Sequence, residues 1–523
     1  MPAEMEVPET IPALLTAAAE RDPGGLWLHT DEGTATFAGA VGQVARLAER
    51  LAGAGVRRGD PVLVTARSTP PYLLCWLALT SLGAVAVMTD PAGTAAELTG
   101  LVGQLRPRLV VTDGRLGAVM RDATAEAAPG TSLFDIDEAV EDWRAPEAGA
   151  GARLPDRVGP DDLAVLIPTS GTTGRSKLVM QTHRSYAMAG VGFPYWMELT
   201  DADRLMTSLP LFHINAPAYS VLGSLAAGAG LVLLPRFSAS GFLDSARRHQ
   251  ATEFNAIGAM LEILMRQPPR DDDADTDLRL CYTGPSPERS WQEAFEARFG
   301  LRVVCGYAMS ESPYGLIWPH GTRPFGTLGT PRQHPTLGVV NTARVIDEDG
   351  QDLGIGQTGE LLLRNPTVTR GYWEMPDETA AAVVDGWMHT GDLVTVDADG
   401  TYTFVSRKKE VLRRRGLNLS PAEVEDAIAS HPDVLEVAVV AVPSELTEDE
   451  VKAFVVPVPG HAPDFEEMRA WAARSLSAFK VPRFWQSLDT LPRTPTSRVA
   501  KHRLPKDHPP DEYDAEAAAP PRS

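Results

Sequence analysis

Cysteine is nearly absent: Cys75, Cys281 and Cys305 are the only three in 523 residues, widely separated and without a CxxC or a nearby His pair. That scarcity excludes a disulfide framework and a Cys/His zinc site, and it suits a reducing cytoplasm. Basic charge is in short supply too. Lys and Arg number 48 against 69 Asp and Glu, a formal net charge of -21, so nucleic acid is not a general partner and any anionic ligand depends on a local basic site. The first residues, Met1-Pro2-Ala3-Glu4-Met5-Glu6, are acidic and lack the basic and apolar regions of a signal peptide. Long apolar runs are scarce as well. Residues 68–89 carry no charge, but Pro70, Pro71 and Gly83 interrupt them, which predicts a buried helix ended by Gly83 before a strand at Ala84-Val85-Ala86-Val87-Met88, and no integral membrane segment.

What is present is ordinary globular material, 43% hydrophobic and 22% charged, in a chain too long for one core, so two or more domains are expected. Helical and strand signals alternate in the α/β manner. Residues 36–55 read as a helix, with strands at Pro61-Val62-Leu63-Val64-Thr65 and Leu109-Val110-Val111-Thr112. Residues 145–160 form a Pro/Gly/Ala-rich loop, residues 204–209 and 230–234 read as strands around a helix, and Asp271-Asp272-Asp273-Ala274-Asp275 reads as a solvated loop. Residues 421–429 are expected to be a helix, and residues 434–442 and 451–456 strands. The Pro-, Ala- and acid-rich tail from residue 506 to 523 is expected to be disordered.

Thr169-Ser170-Gly171-Thr172-Thr173-Gly174-Arg175-Ser176-Lys177 stands between two apolar strand-like runs. Such a loop can turn backbone N–H groups and hydroxyls toward one point, and Arg175 and Lys177 make that point favour an anion such as a polyphosphate. The spacing differs from GxxxxGK[ST], so this is not a Walker A; an ordinary Gly/Ser/Thr turn is the bland alternative. The TSGTTGxxK pattern resembles the signature of the adenylate-forming superfamily, and further motifs matching it follow in order over most of the chain. The resemblance implies a large N-terminal AMP-binding domain, residues 1–408, of packed α/β subdomains plus a distorted β-barrel. A small mobile α+β C-terminal domain of residues 409–505 would follow.

Several residues acquire roles from that resemblance. Pro210-Leu211-Phe212-His213 resembles the motif at the entrance to the acyl pocket, although a lone His after an apolar pair serves a structural role as readily. Tyr282-Thr283-Gly284-Pro285-Ser286 resembles the turn that lies along adenine, and a plain Gly-Pro turn would look the same. Gly306-Tyr307-Ala308-Met309-Ser310-Glu311 implies Tyr307 stacked on adenine, Ser310 at the α-phosphate and Glu311 holding Mg²⁺, a hard cation suited to carboxylate oxygen. Gly386-Trp387-Met388-His389-Thr390-Gly391-Asp392 implies that Asp392 accepts the ribose hydroxyls, a task that suits a carboxylate's two oxygens. Ser406-Arg407-Lys408-Lys409 resembles the hinge, with Arg407 on ribose and phosphate and Lys409 as pivot. Gly416 matches the loop lining the channel for the pantetheine thiol.

One segment departs from the pattern. In Pro495-Thr496-Ser497-Arg498-Val499-Ala500-Lys501, Arg498 stands where the catalytic Lys is expected. It keeps the positive charge with a different reach and geometry, and Lys501 is a second candidate for the role. The implied activity is ATP-dependent activation of a carboxylic acid as acyl-AMP and transfer to the thiol of CoA, nearest to bacterial ligases of the crotonobetaine/carnitine-CoA type. Two alternatives remain open at this point: a nitrite-activating diazotase acting on an aryl amine, and a nucleotide-binding homologue without chemistry. The acid and the oligomeric state are not legible.

Overall fold

The computed structural model describes the chain except residues 1–6, 141, 145–152, 156–157, 170–175, 285, 409–411, 415–416, 420, 444–448, 477–479, 495–498, 511 and 517–523. Contacts divide it into two compact units. The larger comprises Met1–Arg344, Leu362–His389 and Ala398–Tyr402; the smaller comprises Val345–Leu361, Thr390–Asp397 and Thr403–Ser523.

Two sheets build the larger unit. One has six strands in the spatial order Ser132–Asp135, Leu109–Thr112, Pro61–Thr65, Val85–Met88, Leu163–Thr169, Lys177–Thr182, parallel except for the last pair. The other runs Thr330–Pro331, Ser312–Ile317, Arg302–Met309, Leu280–Thr283, Glu253–Asn255, Arg204–Thr207, Gly230–Leu233, Leu26–Thr30, Gly33–Thr36. Its central strands are parallel and apolar on both faces, as strands covered by helices on either side must be.

Local chemistry explains the elements. The helix Phe37–Gly53 begins where Thr36 Oγ1 accepts the Gly39 N–H at 3.0 Å. The uncharged stretch becomes the helix Pro70–Ser81, with prolines at its first positions and every residue from Tyr72 to Ser81 buried. Gly83 follows at φ +72, a left-handed conformation open to glycine, and the strand Val85–Met88 begins there as expected. No described helix is long and apolar enough to cross a membrane.

The smaller unit is an α+β layer. Val434–Pro443 pairs antiparallel with Asp449–Pro457, and Phe484–Ser487 adds in parallel on the far side. Helices Pro421–Ala429 and Phe465–Ala472 cover one face, Val424, Ile428 and Met468 joining Trp485 of the strand Phe484–Ser487 in one core.

Two expectations give way. Asp273 does not lie in a solvated loop: it is buried, its carboxylate paired with Arg298 at 2.7 Å, because that guanidinium also collects carbonyls of the neighbouring turn and needs a counter-charge. Part of the tail expected to be disordered is ordered. Tyr513–Asp514 forms a strand antiparallel to Phe484–Ser487, fastened by a two-bond pair between Arg483 and Asp514 at 3.0 and 2.9 Å. Glu512 meets the fully buried Lys452 ammonium at 2.6 Å, so the tail supplies the counter-ion for a core cation.

Candidate active site

The phosphate-loop motif joins two strands of a hairpin in which Thr169 stands opposite Lys177, and Thr169 Oγ1 donates to the Lys177 carbonyl at 3.3 Å. Alongside the second strand runs a segment that the sequence did not flag. Met180 N–H donates to the Gly371 carbonyl at 2.9 Å, Arg370 N–H to Met180 at 3.1 Å and Trp373 N–H to Leu178 at 2.9 Å. Those bonds seat the Tyr372 ring beneath Lys177, whose ammonium lies 4.5 Å from the ring centroid.

Glu311 enters from the other sheet. Strands Arg302–Met309 and Ser312–Ile317 form a tight hairpin with Met309 opposite Ser312, leaving Ser310 and Glu311 at its tip. Gln181 Nε2 donates to the Ser310 carbonyl at 2.6 Å, and Thr369 N–H to the Glu311 carbonyl at 2.8 Å. The Tyr372 hydroxyl donates to Glu311 Oε1 at 3.0 Å. Burial, and then the carboxylate beside it, push the Tyr372 hydroxyl well above its ordinary range, so it stays a protonated donor. Lys177, Tyr372 and Glu311 therefore form one contiguous group of a cation, a neutral donor and an oriented carboxylate. This donor set fits magnesium: a single anchored carboxylate supplies the hard oxygen that an ion shared with substrate phosphates requires. Among the described residues no three His, Cys, Asp or Glu side chains converge into an all-protein metal cage.

In the smaller unit Thr390–Asp392, within the strand Trp387–Val396, is fixed at each residue. Thr390 Oγ1 donates to the Leu361 carbonyl at 2.7 Å and accepts the Asp392 N–H at 3.1 Å. Gly391 sits at φ +69, and its N–H donates to Glu360 Oε1 at 3.1 Å. Asp392 is 1% exposed and pairs with Arg407 at 2.6 Å, so the two residues assigned to the nucleotide by resemblance are in contact.

Residues 15–373 match the family profile of AMP-binding enzymes, and residues 423–498 match that of the AMP-binding enzyme C-terminal domain. The chain belongs to the AMP-binding enzyme family. Crotonobetaine/carnitine–CoA ligase of Salmonella choleraesuis (strain SC-B67) is 30% identical over 487 residues, 90% of this chain and 92% of the relative. The ATP-bound crystal structure of MatB from Rhodopseudomonas palustris superposes with a TM-score of 0.83 at 28% identity, covering 94% of this chain and 98% of that one. The o-succinylbenzoate coenzyme A synthetase MenE from Bacillus subtilis, in complex with AMP, superposes at 0.82 with 26% identity over 95% and 98%. This AMP-binding enzyme is an AMP-forming acid–thiol ligase of the acyl-CoA synthetase type: it forms an acyl-adenylate and passes the acyl group to CoA. Neither the nitrite-activating reading nor the non-catalytic one is favoured by these likenesses.

Of the remaining candidate residues, Gly284 and Tyr307 lie at or beside the adjacent strands Leu280–Thr283 and Arg302–Met309. Thr283 stands opposite Cys305 in parallel register, and a Cβ on Gly284 would lie 2.3 Å from the Gly306 carbonyl oxygen, so only glycine permits this approach. Tyr307 is half-buried on the same strand, and Ser286 Oγ accepts the Gly326 N–H at 3.1 Å. His213 is half-buried in a turn closed by its own N–H on the Pro210 carbonyl at 3.1 Å. Ser170, Gly171, Thr172, Thr173, Gly174, Pro285, Lys409, Gly416 and Arg498 lie outside the described residues. Lys501, the second candidate for the catalytic cation, pairs with Glu425 at 2.8 Å.

Under these strand ends lies Arg332, 0% exposed and unsignalled in the sequence. Its Nη1 donates to the Tyr219 hydroxyl at 2.9 Å and the Pro313 carbonyl at 3.1 Å, its Nε to Leu316 at 3.1 Å, and its Nη2 to the Tyr282 hydroxyl. The rings of Trp196, Tyr219 and Tyr282 lie 4.5, 5.0 and 5.5 Å from the guanidinium carbon. A cation is thus held in the core by π faces and neutral oxygens.

Proposed function

We propose that this ligase works through the group Lys177, Tyr372 and Glu311 together with Asp392, each assigned to one part of ATP. The observation that carries this reading is the Tyr372 hydroxyl fixing Glu311 while its ring seats Lys177. Glu311 holds the magnesium ion, and when bound the ion offsets negative charge on the phosphate oxygens. Lys177 and the hydroxyls and N–H groups of residues 169–174 meet the phosphate oxyanions. Tyr307, with Gly284, Pro285 and Ser286, lies along adenine, Ser310 meets the α-phosphate, and Asp392 and Arg407 take the ribose.

In the first half-reaction an oxygen of the substrate carboxylate attacks the α-phosphorus and the bond to pyrophosphate breaks. Arg498 draws the two anions together, and because no covalent enzyme intermediate forms, positioning and charge supply the rate. The domain of residues 409–505 then turns about Lys409, with Gly416 in the loop that lines the channel for the thiol and His213 assigned to the acyl entrance. The sulfur of CoA attacks the acyl carbon and AMP leaves. Three buried free cysteines fit a cytoplasmic setting.

The test is ATP-dependent pyrophosphate release across a panel of carboxylic acids, with nitrite as control, each with and without CoA. Release with an acid followed by CoA-dependent thioester supports the reading and names the substrate class. Release with nitrite alone, or silence across the panel that persists after Arg498→Lys, overturns it.

A further inference from the structure

Glu360 lies on the strand Gly359–Arg364 at 6% exposure, and its two carboxylate oxygens serve different segments of the smaller unit. Oε1 accepts the Gly391 N–H at 3.1 Å, next to Asp392. Oε2 meets Lys408 Nζ at 2.8 Å, between Arg407 and Lys409 in sequence. We propose that Glu360 is a positioning residue that couples the strand segment at Asp392 to the hinge, so that a nucleotide held at Asp392 is felt at Lys408. The proposal rests on the reading above that Asp392 binds ribose and Lys409 is the pivot.

Glu360 bridges two segments, Oε1 on the Gly391 N–H and Oε2 on Lys408. The arms are also unequal. The Gly391 bond is made by a backbone group within the strand Trp387–Val396, fastened by the Thr390 hydroxyl to Leu361 and Asp392, whereas the Lys408 side chain is 49% exposed and can leave for water. A displacement of this strand segment therefore moves the carboxylate, and the partner that can respond is Lys408. Arg407 reinforces the arrangement: it pairs with Asp392 at 2.6 Å, so the same strand segment grips two successive residues of the hinge segment, one directly and one through Glu360. Neighbouring ion pairs that share a group are where couplings between sites arise.

The test compares the wild-type protein with Lys408→Met, Lys408→Arg and Glu360→Gln. Binding of AMP is measured by calorimetry, and hydrogen exchange of the backbone over residues 403–408 is followed with and without AMP. Lys408→Met leaves the Gly391 bond in place, so AMP affinity stays within about twofold of wild type, as expected for loss of a half-exposed pair. The slowing of exchange that AMP produces at 403–408 in the wild type disappears in Lys408→Met and persists in Lys408→Arg. Glu360→Gln removes the charge from both arms and weakens AMP binding about tenfold, the scale of one charge-assisted hydrogen bond. With an acid that the wild type activates, Lys408→Met slows thioester formation from preformed acyl-adenylate about fivefold and leaves pyrophosphate release unchanged, the scale of one half-exposed ion pair. The proposal is overturned if AMP slows exchange at 403–408 equally in wild type and Lys408→Met, or if Lys408→Met changes both half-reactions alike. Failure of the wild type to bind AMP at all would instead overturn the functional reading on which the proposal rests.

Discussion

The Tyr372 hydroxyl donates to the Glu311 carboxylate at 3.0 Å across a separation of 61 residues. Because its proton stays on, this donor is available throughout the working pH range. Tyr372→Phe keeps the ring under Lys177 and removes only the hydroxyl, so pyrophosphate release is expected to fall about tenfold to a hundredfold, the scale of one hydrogen bond to a charged group. The magnesium concentration for half-maximal rate should rise at the same time. Tyr372→Ala removes the seat of Lys177 as well and is expected to cost more. Titration of initial rates with magnesium for the three proteins checks both statements.

Asp392 is buried with its carboxylate on Arg407 and its N–H on Thr390. Asp392→Asn keeps the shape and loses the charge-assisted acceptor. The KM for ATP in pyrophosphate release is expected to rise about tenfold or more, with a smaller effect on kcat, since the ribose is bound in ground and transition states alike.

Arg332 offers a stability test away from the reacting atoms. Arg332→Met removes the donor to the Tyr219 and Tyr282 hydroxyls and the Leu316 carbonyl inside the core, and leaves the Pro313 carbonyl with the Tyr219 hydroxyl as donor. Urea unfolding should show a loss of about 3–5 kcal/mol, the cost typical of breaking a buried charged group's network. A loss below about 1 kcal/mol would mean that the aromatic shell closes over the gap unaided.

Glu253 sits on a central strand at 0% exposure, and neither carboxylate oxygen has a hydrogen-bond partner among the described residues. Burial first, and then Asp203, push its pKa well above the ordinary carboxylate range. The folded state therefore retains a proton that the unfolded chain releases above the ordinary value near 4.5. Stability is fullest below that value and declines as pH rises toward the raised folded value, because the native state binds more protons there. Glu253→Gln carries no titrating proton and should flatten that decline: the variant gains on the wild type at pH 8 relative to pH 5, read from urea midpoints at both.

His183 titrates in the opposite sense. Burial lowers its pKa to about 4, and its ring accepts the Ile11 N–H at 3.4 Å. The folded state excludes a proton that the unfolded chain takes up below 6.5, so stability falls as pH drops from 6.5 toward 4. His183→Gln should lose less stability over that interval than the wild type, checked by thermal unfolding at pH 7 and pH 5.

The strands Pro61–Thr65 and Leu109–Thr112 were legible because a short apolar run covered on both faces needs no partner to declare itself. The helix Pro70–Ser81 was legible from its prolines and Gly83. The motifs around Glu311 and Asp392 stood out because their chemistry is compressed into a few consecutive residues. Tyr372, Gln181 and Glu360 were not legible for the opposite reason: each is a single side chain whose meaning lies in a contact with a distant segment. A Gly-Tyr-Trp run at residues 371–373 was the one visible signal for Tyr372, and nothing in its spacing points to Lys177. Arg332 escaped because one cation among 48 looks like any other until its surroundings are known. The strand Tyr513–Asp514 escaped because two residues carry no periodicity and its order comes from Arg483 and Lys452.

That short strand also bears on how the protein is made. Phe484–Ser487 has one neighbour in Asp449–Pro457 and the other in Tyr513–Asp514, so during synthesis it emerges with one edge covered and one open. Lys452 is likewise without Glu512 until residue 512 leaves the ribosome. The smaller unit completes its core only once residues 512–514 have emerged, and a ribosome stalled before residue 512 would hold a sheet with an open edge and a core lysine still lacking its counter-ion.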